Sequence, residues 1–317
     1  MKIKRFMDRI PGGMMVIPLL TAALINTFAP GLLRIGNFTQ DLFVDGSGTL
    51  IALFLLCAGA QINLRSFGVS LAKGATLLGV KWLVGAAVGL IAYTFAGEDS
   101  LWLGLAPLAI IAAMTNSNGG LYMAIVGQYG NKEDKAAYSL LALNDGPFLT
   151  MVALSIFGAM GYVEGFFSLQ SFLSVLLPIL VGMVLGNLDD EMRNFLGKGS
   201  DMLIPFFAFA LGMGIDFSKI IEGGLSGILL GVLTVILTGT AGYLVFKACG
   251  WNPITGAAEG STAGNAVATP AAIAAANASF AKVSALATVQ VAASTVTTAL
   301  LLPLYIAFLV KKPWKKS

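Results

Sequence analysis

The sequence predicts an all-α polytopic membrane protein of about ten transmembrane helices, built as two inverted five-helix repeats. Three observations predict it. Hydrophobic residues make up 57% of the 317 residues and charged residues only 11%, where a soluble domain carries about 25% charged residues. Apolar segments of spanning or near-spanning length recur along the whole chain. Finally, a pattern in the first half returns in the second. At about 20 residues per membrane helix, ten helices take up roughly 200 residues. The remainder makes short loops and two tails, with no soluble domain.

The segments fall at roughly 11–29, 48–63, 74–96, 101–126, 136–160, 172–188, 202–214, 224–248, 253–276 and 283–310. The basic stretch Met1 to Arg9 precedes the first of them as it would in a signal peptide. Pro11, Pro18 and the lack of a small-residue cleavage site favour a retained first helix. Orientation follows from the cations. With the N-terminus inside and ten spans, sixteen Lys and Arg residues fall on the cytoplasmic side, and only Arg34, Lys219 and Lys282 fall outside. Both termini are therefore expected in the cytoplasm. Lys81, two turns into the third segment, could pair with a carboxylate but is read as snorkelling to that surface. The tail Lys311-Lys312-Pro313-Trp314-Lys315-Lys316 is read as enforcing topology, and Asp189-Asp190-Glu191 as a solvated turn.

The repeat shows in Gly46-Ser47-Gly48-Thr49-Leu50-Ile51, which returns as Gly199-Ser200-Asp201-Met202-Leu203-Ile204. It continues through Gly59 and Gly212, Gly119 and Gly264, and Ser139 and Ser284. Residues 1–163 thus form a first repeat and 164–317 a second. Five spans is an odd number, so the halves enter the membrane from opposite sides. That arrangement is a signature of secondary transporters, with the site at the midplane.

Several chemistries are excluded or disfavoured. There is no histidine, so proton chemistry must run on carboxylates. Cys57 and Cys249 lie far apart without metal-like spacing, and no nucleotide loop, catalytic dyad or basic groove is visible. No cofactor, resident metal or nucleic acid is expected.

Two segments break helical rules at matching places. One is Met114-Thr115-Asn116-Ser117-Asn118-Gly119-Gly120; the other is Glu259-Gly260-Ser261-Thr262-Ala263-Gly264-Asn265, followed by Thr269-Pro270. Lipid cannot satisfy backbone groups freed there, so each break must face protein or a water-filled cavity. The plainer alternative is a small-residue packing face on a straight helix. Two acidic residues lie well inside apolar segments, Glu259 at the second break and Asp145 in Leu143-Asn144-Asp145-Gly146-Pro147. A carboxylate inside the bilayer costs roughly 2.5–3.5 kcal/mol on insertion scales, which makes each a functional candidate. Glu259 and Asp145 are expected to carry the coupling charge. Thr115, Asn116, Ser117, Asn118, Gly119, Asn144, Ser261, Thr262, Gly264, Asn265 and Gln290 are expected to hold a small polar solute.

Four stretches resemble bacterial 2-keto-3-deoxygluconate permeases: Met1 to Leu20, Met114 to Gly120, Ala142 to Pro147 and Ala258 to Asn265. The resemblance covers essentially the whole chain. It implies an inner-membrane proton symporter that imports 2-keto-3-deoxygluconate, a sugar acid from pectin breakdown. More distantly, the organisation resembles the bile acid sodium symporter fold. That likeness implies crossed broken helices 4 and 9 in a core domain (helices 3–5 and 8–10), facing a panel domain (helices 1, 2, 6 and 7). In that fold an acidic residue at the helix 9 break ligates sodium, and Glu259 matches it, so sodium remains the alternative coupling ion near Glu259. A channel or an intramembrane enzyme is a reading from another class. Substrate identity within the sugar acids rests on the resemblance, and the oligomeric state is not legible.

Overall fold

The computed structural model describes residues 2–9, 13–64, 68–97, 100–144, 146–163, 167–215 and 217–311. Asp145, one of the two expected coupling carboxylates, lies outside the described residues. Among those residues the fold is helical throughout, apart from one isolated bridge between Trp102 and Leu105. The helices run α1 (Ile3–Asp8), α2 (Gly13–Phe28), α3 (Asn37–Phe43), α4 (Ser47–Gly59) and α5 (Val69–Ala96). Next come α6 (Pro107–Thr115), α7 (Gly119–Tyr129), α8 (Lys132–Leu141), a 3-10 turn (Ala142–Asn144) and α9 (Phe148–Ala159). The second half holds α10 (Leu169–Leu188), α11 (Asp190–Gly212), α12 (Phe217–Ala248) and α13 (Pro253–Ala257). A 3-10 turn (Asn265–Ala268), α14 (Thr269–Ala276), a second such turn (Ala278–Phe280) and α15 (Ala281–Val310) complete it.

Among the described residues six spans are long and apolar enough to cross a membrane, one of them α6 and α7 taken together, or seven if the α3–α4 pair, bent by 60°, counts as one. This is fewer than ten. At about 1.5 Å per residue, the 16 residues of α2 and the 12 of α9 fall short of a hydrocarbon core about 30 Å thick. Lipid is still the solvent these helices are built for. The span of α10 has a mean hydropathy of 2.1, yet only 22% of it is buried within the protein. Leu173, Leu177, Leu180 and Val184 stand out from its surface. Apolar faces of that size are unfavourable in water and favourable in a bilayer.

Helix starts are set by local chemistry. Pro107 and Pro253 open α6 and α13, where a missing amide proton is no loss. Asn252 caps α13 by accepting from the Ile254 amide at 3.0 Å. The acidic run at 189–191 is not a solvated turn. Asp189 caps α11, and Asp190 and Glu191 form its first turn, where negative charge suits the helix dipole. Charge therefore hides the start of α11, which lies 12 residues before the apolar stretch at 202.

The helices fall into two packed groups. In one, α11 lies against α2 and α4, and α10 lies against α4. Small residues set that spacing: Gly182 sits against the Leu56 carbonyl and Gly59 against the backbone of Ile179, where a Cβ would collide. In the other, α5 packs on α6 and α8, and α12 packs on α15 and α13. Gly239 of α12 faces Gly260 there, and Gly242 faces Gly256, so backbones touch where the chain after α13 is interrupted. An aromatic cluster joins the groups at one end. Phe167 stacks on Phe280 at 6.1 Å, and Phe172 meets Phe148 edge-on at 6.5 Å.

Candidate substrate and coupling site at the interrupted helices

Three interruptions come together inside the second group. The first separates α6 from α7: Asn116 and Asn118 are extended, and Asn118 caps α7 by accepting from the Leu121 amide at 3.0 Å. The second separates α8 from α9 and includes Gly146, whose φ of +97° suits a residue without a Cβ. The third runs from Ala258 to Gly264, between α13 and the 3-10 turn that leads into α14.

Side chains stitch the first two together. The Asn116 carbonyl oxygen Oδ1 accepts from the Gly146 amide at 3.1 Å, and Asn144 donates to the Ser117 hydroxyl at 3.0 Å. Thr115 bonds Thr150 of α9 at 3.0 Å. The third break is held by α15. Thr298 accepts from the Thr262 amide at 3.0 Å, Ser294 bonds the Thr262 hydroxyl at 2.7 Å, and Thr295 donates to the Ala263 carbonyl at 3.0 Å. The Asn118 amide then donates to Ser261 Oγ at 3.0 Å, so the first and third breaks touch directly.

One residue at this junction was not expected there. Lys81 is 1% exposed, and its ammonium donates to the carbonyls of Glu259 at 2.9 Å and Ser261 at 2.5 Å. Thr238 Oγ1 lies 3.4 Å away. The snorkelling assignment is therefore corrected. Because α5 begins at Val69, Lys81 stands 12 residues along it, about 18 Å from the end at 1.5 Å per residue. That is beyond the reach of a lysine side chain to the surface. The depth was the missed signal, obscured by placing the helix start at residue 74.

Beside Lys81 lies Glu259, 2% exposed. Neither of its carboxylate oxygens meets hydrogen-bond geometry with any protein group among the described residues, although Lys81 and Ser117 are its polar neighbours. Asn144 Oδ1, Asn265 Oδ1 and Thr269 Oγ1 are likewise buried and unbonded. Each is an acceptor whose desolvation costs about 1–3 kcal/mol when no partner replaces water. Glu259 and Asn144 lie at the third and second interruptions, and Asn265 and Thr269 follow the third in the 3-10 turn and at the start of α14; Ser155 Oγ of α9 is also buried and unbonded. Such a cluster in one place is the mark of a site made for a polar ligand or ion.

The expected site residues mostly converge here. Thr115, Asn116, Ser117, Asn144, Ser261, Thr262 and Asn265 are buried at the junction. Asn118 and Gly119 are half-buried, as is Gly264, around whose position there is open space. Gln290 is not brought to the breaks. Its Oε1 accepts from the Ala106 amide at 2.9 Å, and its Nε2 donates to the Gly104 carbonyl at 2.8 Å and to Ser226 at 2.9 Å. With these bonds made, Gln290 anchors the loop before α6 and leaves the candidate site.

Two clefts run between the helix groups, of ≈ 470 and ≈ 410 Å³, within the usual size range of small-molecule sites. Ser47 and Ala271 line both; Leu55, Pro147 and Ser174 line the larger. Pro147 follows the second break and Ala271 the third, but neither cleft reaches Glu259.

A family model described as 2-keto-3-deoxygluconate permease matches residues 4–315. The chain belongs to that family. It is a permease and not an enzyme. A permease of this name from Salmonella typhimurium is 50% identical over 317 residues, covering 100% of this chain and 98% of that one. One from Bacillus subtilis is 43% identical and covers 100% and 96%. Among solved structures, a sodium proton antiporter from Methanocaldococcus jannaschii matches with a TM-score of 0.56. Its identity is 13%, over 94% of this chain and 90% of that chain, a likeness of fold.

Proposed function

We propose that this permease is a secondary active importer of 2-keto-3-deoxygluconate, driven by proton symport across the bacterial inner membrane. The observation that carries the proposal is the cluster of buried, unbonded acceptors at three interrupted helices, in a member of this family. Glu259 takes the coupling proton and Asp145 assists. Asn116, Ser117, Asn118, Asn144, Ser261, Thr262 and Asn265 bind the hydroxyl and keto oxygens. No arginine is present among the described residues of the junction, so the substrate carboxylate relies on Asn and Ser donors and on first-turn amides of α7.

The same reading takes the chain as ten crossings in two inverted repeats, 1–163 and 164–317. The short elements support it in pairs. Helices α3 with α4, α6 with α7, α8 with α9 and α13 with α14 each form one interrupted crossing. The group of α2, α4, α10 and α11 is then the panel, and the remaining long helices are the core. The positive-inside bias supports cytoplasmic termini. Protonation of Glu259 with substrate bound stabilises the loaded core, which moves against the panel and carries the junction from one side to the other.

The test is uptake of labelled 2-keto-3-deoxygluconate into proteoliposomes of the purified protein, with an inward proton or sodium gradient imposed separately. Accumulation with the proton gradient alone is expected. Accumulation only with sodium would overturn the coupling ion, and none with either would overturn the transport assignment.

A further inference from the structure

We propose that the Lys81 ammonium is the built-in occupant of a monovalent-cation site, and that removing it converts that site into one for sodium. The inference shares Glu259 with the proposed transport mechanism, but it concerns ion binding and does not require that any particular substrate be carried.

The polar contacts of Lys81 Nζ are three oxygens. Two are backbone carbonyls at 2.9 and 2.5 Å, those of Glu259 and Ser261, which the interruption after α13 turns toward it. The third is Thr238 Oγ1 at 3.4 Å. That hydroxyl gives its proton to the Thr234 carbonyl at 2.6 Å, which leaves its lone pairs directed at the ammonium. The Glu259 carboxylate lies nearby without contacting the ammonium, and its oxygens have no hydrogen-bond partner among the described residues, so it offers a negative field and a ligand that can swing in. Two carbonyls and a hydroxyl, with a carboxylate close by, are donors that suit a hard cation. An ammonium and a sodium ion carry the same charge, and both suit oxygen lone pairs.

The lysine reaches this position from a different helix, α5, which approaches closely beside it. Gly85, one turn on from Lys81, lies where a Cβ would come within 2.9 Å of the Met114 carbonyl. A tethered ammonium cannot diffuse away, so the third break carries a positive charge whenever the lysine is protonated. A site filled in this way gives sodium no foothold, and the coupling ion must then act elsewhere, on the Glu259 carboxylate. With Lys81 shortened to alanine, the same oxygens face a space the size of the lost side chain, beside an uncompensated carboxylate.

Thermal unfolding of the purified protein in detergent, in sodium chloride against choline chloride at equal ionic strength, tests this. The wild-type Tm is expected to be the same in both. Lys81→Ala is expected to unfold at a higher temperature in sodium, by on the order of 5 °C at a hundredfold excess over its dissociation constant. The rise should saturate with sodium and disappear in the double variant Lys81→Ala, Glu259→Gln. A saturating, sodium-specific rise in the wild type would overturn the proposal, whether or not Lys81→Ala can be purified. So would a folded Lys81→Ala that responds identically to sodium and choline. Recovery of folded Lys81→Ala only when it is extracted in sodium would support it.

Discussion

The Asn118 amide donates to the Ser261 hydroxyl at 3.0 Å, joining two helix breaks that lie 143 residues apart in the chain. This single bond sets the register of α7 against the chain that follows α13, and so the spacing of the acceptors around Glu259. Removing the hydroxyl leaves a buried amide without its partner, at a cost of about 1–3 kcal/mol. Ser261→Ala should therefore lower stability and raise KM for uptake about tenfold. Paired Tm and initial-rate measurements check it; an unchanged KM would separate the bond from the binding site.

Lys81→Met should be the most damaging single change at the junction. It leaves the Glu259 and Ser261 carbonyls unbonded and a buried carboxylate without its neighbouring cation. Leaving a buried charge without a compensating neighbour costs up to about 3–5 kcal/mol. The expected outcome is less folded protein in sodium-free buffer than in sodium, and no proton-driven concentrative uptake, read by size-exclusion profile and proteoliposome transport. Normal uptake would show that the ammonium is dispensable.

Gln290→Leu should separate scaffold from site. The Ala106 amide, the Gly104 carbonyl and Ser226 each lose a partner, so stability falls by about 1–3 kcal/mol. KM of the folded protein should stay within about twofold of wild type. A large rise in KM at unchanged Tm would return Gln290 to the substrate site.

Two of the three interruptions were legible in the sequence, whereas the one between α8 and α9 fell inside a segment read as one span, 136–160. Runs such as Thr115-Asn116-Ser117-Asn118-Gly119 and Gly260-Ser261-Thr262-Ala263-Gly264 have too many polar side chains and glycines for a lipid-facing helix, whatever the tertiary context. Partnerships across the fold were not. Gln290 sits in an apolar helix at a position that reads equally well as ligand contact or anchor. Only the placement of the Gly104–Ala106 loop decides between them. Lys81 was misread because an error of five residues in the helix start moves a side chain by about 7.5 Å at 1.5 Å per residue, enough to exchange the interior for the surface. Ser294, Thr295 and Thr298 did carry a signal, since hydroxyls on one face of an apolar helix call for a polar partner on a neighbour. Which break they would hold was not in the pattern.

A second buried pair lies away from the junction. Lys73 and Asp134 are 4% and 1% exposed, and Lys73 Nζ lies 2.6 Å from Asp134 Oδ1, tying α5 to α8. Asp134 Oδ2 also accepts from the Asn131 amide at 3.0 Å. Asp134→Asn should cost about 3 kcal/mol, at the low end for a broken buried pair, because Glu133, 3.9 Å from Lys73 Nζ, still offers partial compensation. The double variant Lys73→Met, Asp134→Leu should recover much of that loss, since an apolar pair removes both charges together. Thermal unfolding of the three proteins checks this, and equal loss in single and double variants would contradict it.

The account stands on Glu259 as the group that couples the ion gradient to solute movement. The most direct measurement compares concentrative uptake with substrate counterflow in the same proteoliposomes containing Glu259→Gln. Glutamine keeps the shape of the side chain but cannot exchange a proton. Counterflow near the wild-type rate together with loss of proton-driven accumulation is the predicted result. A Glu259→Gln protein that concentrates 2-keto-3-deoxygluconate as the wild type does would contradict the central claim.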